Sequence, residues 1–121
     1  MHPDVLRPQL EAILARRALH VLFQPILDLV NGRIFGYEAL IRGPSDGPLH
    51  APDALFRAAA LLQRVPQLDA ACMQAILAAG VERRLTGLLF VNVSPASLLH
   101  PDLSAEAIVD WLQQHGLATS Q

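Results

Sequence analysis

The sequence has no lysine, a single cysteine and few charged residues. All nine basic residues are arginine, which excludes a lysine general base, a Schiff-base lysine and a Walker-type phosphate loop. Charged residues make up only 17% of the chain and the formal net charge is −2, so we expect no broad attraction to a nucleic acid polymer or to an acidic membrane. Any function should therefore depend on a few well-placed polar side chains.

The single cysteine excludes an internal disulfide and a cysteine-rich metal site, and the absence of a long apolar run excludes a membrane span. The lone Cys72 cannot form an internal disulfide or a multi-cysteine zinc site, and its place in an apolar helical pattern predicts a small core residue. No apolar run approaches the roughly 18 residues of a membrane span. The opening MHPDVLRPQL also lacks a signal-peptide core. These observations predict a cytoplasmic protein without a membrane span.

A helix and a hairpin open the chain. Hydrophobic residues make up 52% of the sequence, slightly above the usual share of about 45–50%, so a packed core is possible. An apolar stripe predicts a helix from Asp4 to about Ala18, and we divide the chain into an N-terminal helix, residues 1–20, and a domain body, residues 21–121. Two extended segments then flank an Asn-Gly pair, which predicts an antiparallel hairpin over residues 21–42.

The middle of the chain has the pattern of a βαβ unit. A helical region from Pro52 is interrupted at Pro66, which predicts two helices or one kinked helix, with Gly80 at its end. The run GLLFVNVSP, residues 87–95, predicts a strand that is covered on both faces and parallel to the previous one. A last helix should begin after Ser104 and end at Gly116. A β/α barrel needs about 250 residues, so we predict an α/β fold that forms the first half of such a barrel.

Two opposite charges lie in the second predicted strand, in the stretch GYEALIRGP. Side chains alternate along a strand, so Glu38, Leu40 and Arg42 share one face, and strand geometry places the two charges roughly 13 Å apart. That distance is too long for a direct salt bridge. We interpret the pair as contacts to different parts of an extended ligand, such as a metal ion and a phosphate.

Asn92 is the strongly polar side chain of the next apolar strand. A buried amide that lacks partners costs about 1–3 kcal/mol, so we expect it to be hydrogen-bonded. A core hydrogen bond is one interpretation, and a hard oxygen ligand for Mg²⁺ or Ca²⁺ is the other. The second gains weight if Asn92 and Glu38 end neighbouring parallel strands, because β/α barrels carry their sites at that end.

Several motifs in order resemble one family. The segment FQPILDLVNGRIFGYEALIRGP, residues 23–44, resembles the opening of the EAL domain family, and FVNVSP, residues 90–95, is similar to a later segment of that family. The resemblance implies a β/α barrel of the TIM type. It also implies a hydrolase that opens the bacterial second messenger cyclic di-GMP to linear pGpG, with Mg²⁺ or Mn²⁺ activating a water molecule.

The resemblance also implies roles for five residues. Glu38 and Asn92 match the family's metal ligands, Arg42 matches an arginine that contacts the ligand phosphate, and Gln24 and Leu40 match residues of the nucleotide pocket. The family's later elements, an E-x-x-E strand, a D-D-F-G segment, a catalytic lysine and a further glutamate, would follow the last residue. We therefore expect the chain alone to be inactive, and whether it acts as an enzyme stays open.

Three functions from different classes fit this sequence. The chain is the N-terminal half of a cyclic di-GMP phosphodiesterase domain, a non-catalytic module that binds cyclic di-GMP, or a protein-interaction module. The third would form a homodimer, because a half-barrel exposes sheet edges and an uncovered apolar face.

Overall fold

A computed structural model describes residues 2–114 of the chain. Within these residues, four α-helices and three strands follow one another in the order that the sequence predicts, and two short 3₁₀ helices, Pro95–Leu99 and Pro101–Leu103, precede the last helix. The larger elements are α1 (Pro3–Arg16), β1 (His20–Asp28), β2 (Arg33–Arg42), α2 (Pro52–Leu61), α3 (Val65–Glu82), β3 (Leu88–Phe90) and α4 (Ala105–Gln114). The predicted α/β fold is confirmed.

The hairpin between β1 and β2 forms where the Asn-Gly pair predicts it. The two strands pair antiparallel along their whole length. Asp28 closes the turn, because its side chain accepts a hydrogen bond from Val30 N at 2.9 Å and its carbonyl accepts one from Gly32 N at 2.8 Å. Gly32 has a φ of +71°, a conformation that glycine adopts without steric cost.

A β-bulge interrupts the pairing of β1 with β2 near the turn. Ile26 pairs with Gly36 while Leu27 pairs with Ile34, so Phe35 is the extra residue on β2. The ring of Phe35 lies 6.1 Å from the ring of Phe90, centroid to centroid. The bulge therefore turns Phe35 towards the side of the sheet on which Phe90 lies.

Strand β3 pairs with β2 in parallel and gives the sheet the order β1-β2-β3. The connection runs through α2 and α3, which confirms the predicted βαβ unit. Gly36 lies close to β3, since a Cβ atom there would stand 2.5 Å from the carbonyl oxygen of Leu88. Only a residue without a side chain fits that position without a shift of the strands.

The prediction that β3 is covered on both faces is wrong. The strand is only three residues long, and Leu88, Leu89 and Phe90 are 45%, 36% and 43% exposed. Within residues 2–114, β2 is the strand that pairs with β3, so its other edge and one of its faces are open. An apolar run predicts burial, but within residues 2–114 these side chains stay partly exposed.

The helical crossover consists of two helices, α2 and α3. Gln63, with a φ of +57°, lies in the short connection between them, and Pro66 falls in the first turn of α3, where its missing N–H is tolerated. Gly80 does not end the helix as predicted, because α3 continues to Glu82 and Arg84 provides the positive φ beyond it.

The last helix begins as the sequence predicts. Ser104 Oγ accepts a hydrogen bond from Ala107 N at 3.1 Å, which confirms the predicted N-cap. The predicted stop at Gly116 lies outside the described residues.

The hydrophobic core lies between the first three helices and one face of β2. Its members from β2 are Ala39 and Ile41, and the partly buried Val21 and Phe23 of β1 pack against it. The helices contribute Leu6, Leu10, Ile13, Leu55, Ala58, Ala59, Leu68, Cys72 and Ile76. Helix α1 thus packs on the same core as the sheet, and a boundary at residue 20 stays a prediction.

Cys72 is a buried core residue, as predicted, with 3% of its surface exposed. Burial in apolar surroundings raises the pKa of its thiol to about 12, and the nearby Asp69 carboxylate adds to that shift. The thiol is therefore neutral at physiological pH. In the part of the chain that the structure describes, no helix is long and apolar enough to cross a membrane.

Replacing Gly36 with alanine should weaken the contact between β2 and β3. The added Cβ would meet the Leu88 carbonyl, so we expect Gly36→Ala to lower the free energy of unfolding by about 1–3 kcal/mol in urea denaturation. Gly47→Ala is the matched control, because the nearest atom to a Cβ there lies 3.9 Å away. Equal stability of the two variants would contradict this close approach.

The stability contributed by Cys72 should fall at alkaline pH. In the unfolded chain the thiol ionises near its usual pKa of 9.0, whereas the folded chain keeps its proton up to a pKa of about 12. The folded state therefore holds more protons in this window, and its stability relative to Cys72→Ala is retained below pH 9 and lost as the pH rises. We expect a slope of about 1.4 kcal/mol per pH unit inside the window, measured by urea denaturation of both proteins. A difference that stays constant from pH 8 to 10.5 would show that the thiol titrates normally.

Candidate functional site

Strand β2 presents different residues to its two sides. Ala39 and Ile41 are buried under the helices, whereas Glu38, Leu40 and Arg42 alternate with them and are half-buried. The alternation that the sequence predicts therefore holds along the strand. Three of the predicted site residues lie on the face that points away from the helices.

Cross-strand pairing places further predicted residues beside this face. Gln24 of β1 is the direct partner of Glu38, and Phe90 of β3 is its partner on the other side. One row across the sheet is therefore Gln24, Glu38 and Phe90, since paired residues point to the same face. At the far end of β2, Arg42 pairs with His20.

Asn92 follows β3 by two residues and is exposed. The expectation of a buried amide is wrong, because the sheet face beside β3 is uncovered in the described part of the chain. Asn92 instead lines a cavity of about 180 Å³ together with Leu40 and Arg42. Its lining also includes Ala39 and Ile41 of β2, Pro52 and Phe56 of α2, and Cys72 and Ile76 of α3, so the cavity lies on the helical side of β2.

This cavity lies at the carboxyl end of β2, where parallel β/α sheets carry their ligands. The structure thus brings Asn92, Leu40 and Arg42 together at one cavity. Glu38 and Gln24 form a neighbouring pair nearer to the middle of the strands. The roles of all five residues stay predictions.

The loop after β2 closes directly behind Arg42. Gly43 N donates a hydrogen bond to His50 O at 2.8 Å, and His50 Nδ1 lies 2.9 Å from Gly43 O. Arg42 Nη1 donates to the carbonyl of Ile41 at 3.0 Å. His50 therefore holds the base of the loop, while the guanidinium of Arg42 remains half-buried at the cavity wall.

Sequence reasoning missed two polar residues behind the site. Asp69 and Ser97 are 2% and 0% exposed, and Ser97 Oγ donates a hydrogen bond of 2.6 Å to Asp69 Oδ2. The signal was present, because Asp69 precedes Cys72 by three positions and Ile76 by seven, so it lies on the apolar face of α3. A carboxylate at a core position needs polar partners, and the structure supplies them.

The donor chemistry suits a hard divalent cation. Glu38 offers a carboxylate and Asn92 an amide oxygen, which are ligand types that Mg²⁺ prefers in proteins. Among residues 2–114, however, no three His, Cys, Asp or Glu side chains lie close enough together to hold a metal ion. No complete metal site is therefore seen in the described part of the chain.

A larger groove of about 470 Å³ lies on the helical side of the chain. Its walls come from α1, α3 and α4 and include Leu14, Gln67 and Trp111. Arg64 borders it and forms a two-pronged ion pair with Glu11, at 2.8 and 3.0 Å. Of the residues that the structure describes, none of the five predicted site residues lines this groove.

Solved structures share this fold. The EAL domain of FimX from Xanthomonas citri, in complex with c-diGMP, is 23% identical, with a TM-score of 0.79 over 95% of this chain and 46% of that chain. The FimX EAL domain from Pseudomonas aeruginosa, bound to c-di-GMP, is 24% identical, with a TM-score of 0.77 over 93% of this chain and 46% of that chain. The PaMucR phosphodiesterase, in a c-di-GMP complex, is 24% identical, with a TM-score of 0.71 over 93% and 47%. The chain therefore spans about half the length of these structures.

Sequence comparison identifies the family. A search of curated protein sequences gives no significant match. The sequence does match the EAL domain family over residues 7–121, which is almost its whole length. The chain belongs to the EAL domain family.

Proposed function

We propose that the chain is the N-terminal half of an EAL domain that hydrolyses cyclic di-GMP to linear pGpG. One observation carries the proposal: the face of β2 that points away from the helices carries Glu38, Leu40 and Arg42, Gln24 pairs with Glu38, and Asn92 follows two residues after Phe90, the other partner of Glu38. A phosphodiesterase of the same fold, PaMucR, was solved in a c-di-GMP complex and supports it.

The proposed roles follow from the chemistry of each side chain. Glu38 and Asn92 would hold Mg²⁺ or Mn²⁺ through hard oxygen atoms. Such an ion, when bound, polarises a phosphodiester and lowers the pKa of a coordinated water. Arg42 would bind a phosphate through its planar guanidinium, which can form two parallel hydrogen bonds with phosphate oxygens. Gln24 would contact the nucleotide through its amide, and Leu40 would form an apolar floor.

This half of the site is not sufficient for hydrolysis. A Mg²⁺ ion takes about six oxygen ligands, and a site for two ions needs several negative charges. Glu38 and Asn92 supply one carboxylate and one amide, and the solved relatives are about twice as long as this chain. We therefore assign the remaining ligands and the catalytic base to a second half of the domain and expect no hydrolysis by this half alone.

We further propose a cytoplasmic location. Cyclic di-GMP, the proposed ligand, is a second messenger inside bacteria, and the free thiol of Cys72 is compatible with a reducing compartment.

An alternative is a non-catalytic module that binds cyclic di-GMP or pairs with a second copy of itself. The observation in its favour is the apolar character of the open face, where Leu22, Phe35, Leu88 and Phe90 are each 43–48% exposed. Burying such a face favours association. A dimer by sedimentation that Phe90→Ser dissociates would support this alternative, with Leu99→Ser as the control because Leu99 is 91% exposed and lies off the sheet. A monomer at high concentration would rule self-association out.

Arg42 should make the main phosphate contact of this half. Loss of a hydrogen bond to a charged group costs about 1.5–3 kcal/mol, so we expect Arg42→Ala to weaken cyclic di-GMP binding by about tenfold to a hundredfold in calorimetry with Mg²⁺. Arg33→Ala is the matched control, because Arg33 begins the same strand, carries the same charge and is exposed at the opposite end.

Comparing the two arginine variants distinguishes a direct contact between Arg42 and the phosphate from a general effect of positive charge on binding. Equal losses in Arg42→Ala and Arg33→Ala would show that only net charge matters. No binding by the unmodified chain would contradict a phosphate site on this half.

A further inference from the structure

A single buried carboxylate ties the segment after Asn92 to helix α3. Asp69 Oδ2 accepts hydrogen bonds from Ser94 N at 3.1 Å and from Ser97 Oγ at 2.6 Å. Asp69 is 2% exposed and Ser97 is fully buried. Both bonds end on the same oxygen atom, so one atom of α3 fixes two points of the loop that follows β3.

Asn92 lies between this anchor and the sheet. On one side, Phe90 is held by its pairing with Glu38 in the parallel ladder. On the other side, Ser94 is held by Asp69. Each fixed residue is two positions from Asn92, and an extended segment that short has little freedom once both its ends are held.

Helix α3, which carries the anchor, also contributes to the cavity that Asn92 lines. Cys72 and Ile76, one and two helical turns after Asp69, line that cavity together with Asn92 and Arg42. The same face of α3 therefore lines the cavity through Cys72 and Ile76 and binds the loop after β3 through Asp69. A shift of the loop relative to α3 would move Asn92 relative to Arg42.

Core stability alone does not account for a carboxylate at this position. Its neighbours on the apolar face are Leu68, Cys72 and Ile76, and burying a carboxylate among them is unfavourable unless hydrogen bonds compensate. Hydrogen bonds to a charged acceptor are stronger and more directional than neutral ones. At this position Asp69 makes no apolar packing contact of the kind a leucine would make, but its hydrogen bonds to Ser94 and Ser97 fix the geometry of the loop.

We propose that Asp69 is a positioning residue that fixes Asn92 at the carboxyl end of the sheet, two residues beyond the pair of Phe90 with Glu38, so that its amide oxygen and the Glu38 carboxylate can serve one divalent cation. The proposal rests on the proposed function for the identity of the ligands. It does not rest on that function for the position of the loop, which is a property of this chain by itself.

The test uses nuclear magnetic resonance on the whole chain with Mn²⁺ as the probe. We expect Mn²⁺ to broaden the amide signals of Glu38 and Asn92 together in the unmodified protein. In Asp69→Ala we expect hydrogen exchange at Ser94 N to speed up by about tenfold or more, and the broadening at Asn92 to fall while that at Glu38 remains.

Two further variants separate positioning from stability. Asp69→Asn keeps an oxygen where both donors converge, so it should preserve the Ser94 protection and the Asn92 broadening. Leu77→Ala removes a buried side chain from α3 that does not line the cavity and takes no part in the Asp69 hydrogen bonds, so it should lower stability with no selective change at Ser94 or Asn92.

Each result decides a different point. If Asp69→Ala resembles Leu77→Ala, or leaves Ser94 and Asn92 unchanged, Asp69 only stabilises the core and the proposal is overturned. The same holds if Asp69→Asn fails to restore both signals. If Mn²⁺ broadens neither Glu38 nor Asn92 in the unmodified protein, the metal site of the proposed function fails, and the exchange at Ser94 still tests the anchor.

Discussion

Strand β2 pairs with β1 on one edge and with β3 on the other. One of its faces belongs to the hydrophobic core, and the other carries the candidate site residues. Its odd-numbered residues Ala39 and Ile41 pack under the helices, while Glu38, Leu40 and Arg42 remain on the opposite side. The period of two along a strand makes this division obligatory, because a slip of one residue would bury both charges. The core and the candidate site are therefore fixed by the same register.

The pairing of β2 with β3 also fixes the register of β2. Gly36 allows the Leu88 carbonyl to come close, and that pairing sets Phe90 beside Glu38 and carries the chain on to Asn92. Two residues after Asn92, Ser94 N donates a hydrogen bond to Asp69 of α3. The Glu38 carboxylate on one strand and the Asn92 amide after the next are thus linked by backbone geometry.

Periodicity predicted most of the fold. The hairpin, the crossover and the N-cap at Ser104 follow from turn chemistry and from apolar spacing, which act locally. The exposure of β3 and of Asn92 was not predicted, because burial depends on which elements cover a strand and no local pattern contains that information. Gly80 failed as a stop signal because glycine is only a weak helix breaker, and the positive φ occurs at Arg84.

The candidate site was predicted in part. Strand alternation placed Glu38, Leu40 and Arg42 on one face, whereas the pairing of Gln24 with Glu38 required the hairpin register. The buried contact between Asp69 and Ser97 joins residues 28 positions apart, and a single sequence does not reveal such a pair.

We propose that this chain holds a folded but chemically incomplete half of a phosphodiesterase site. The most direct measurement incubates the purified chain with cyclic di-GMP and Mg²⁺ or Mn²⁺ and follows linear pGpG by chromatography. We expect the unmodified chain to form no more linear pGpG than a Glu38→Gln variant. Metal-dependent formation of pGpG that Glu38→Gln abolishes would contradict it, because two oxygen ligands would then have sufficed for catalysis.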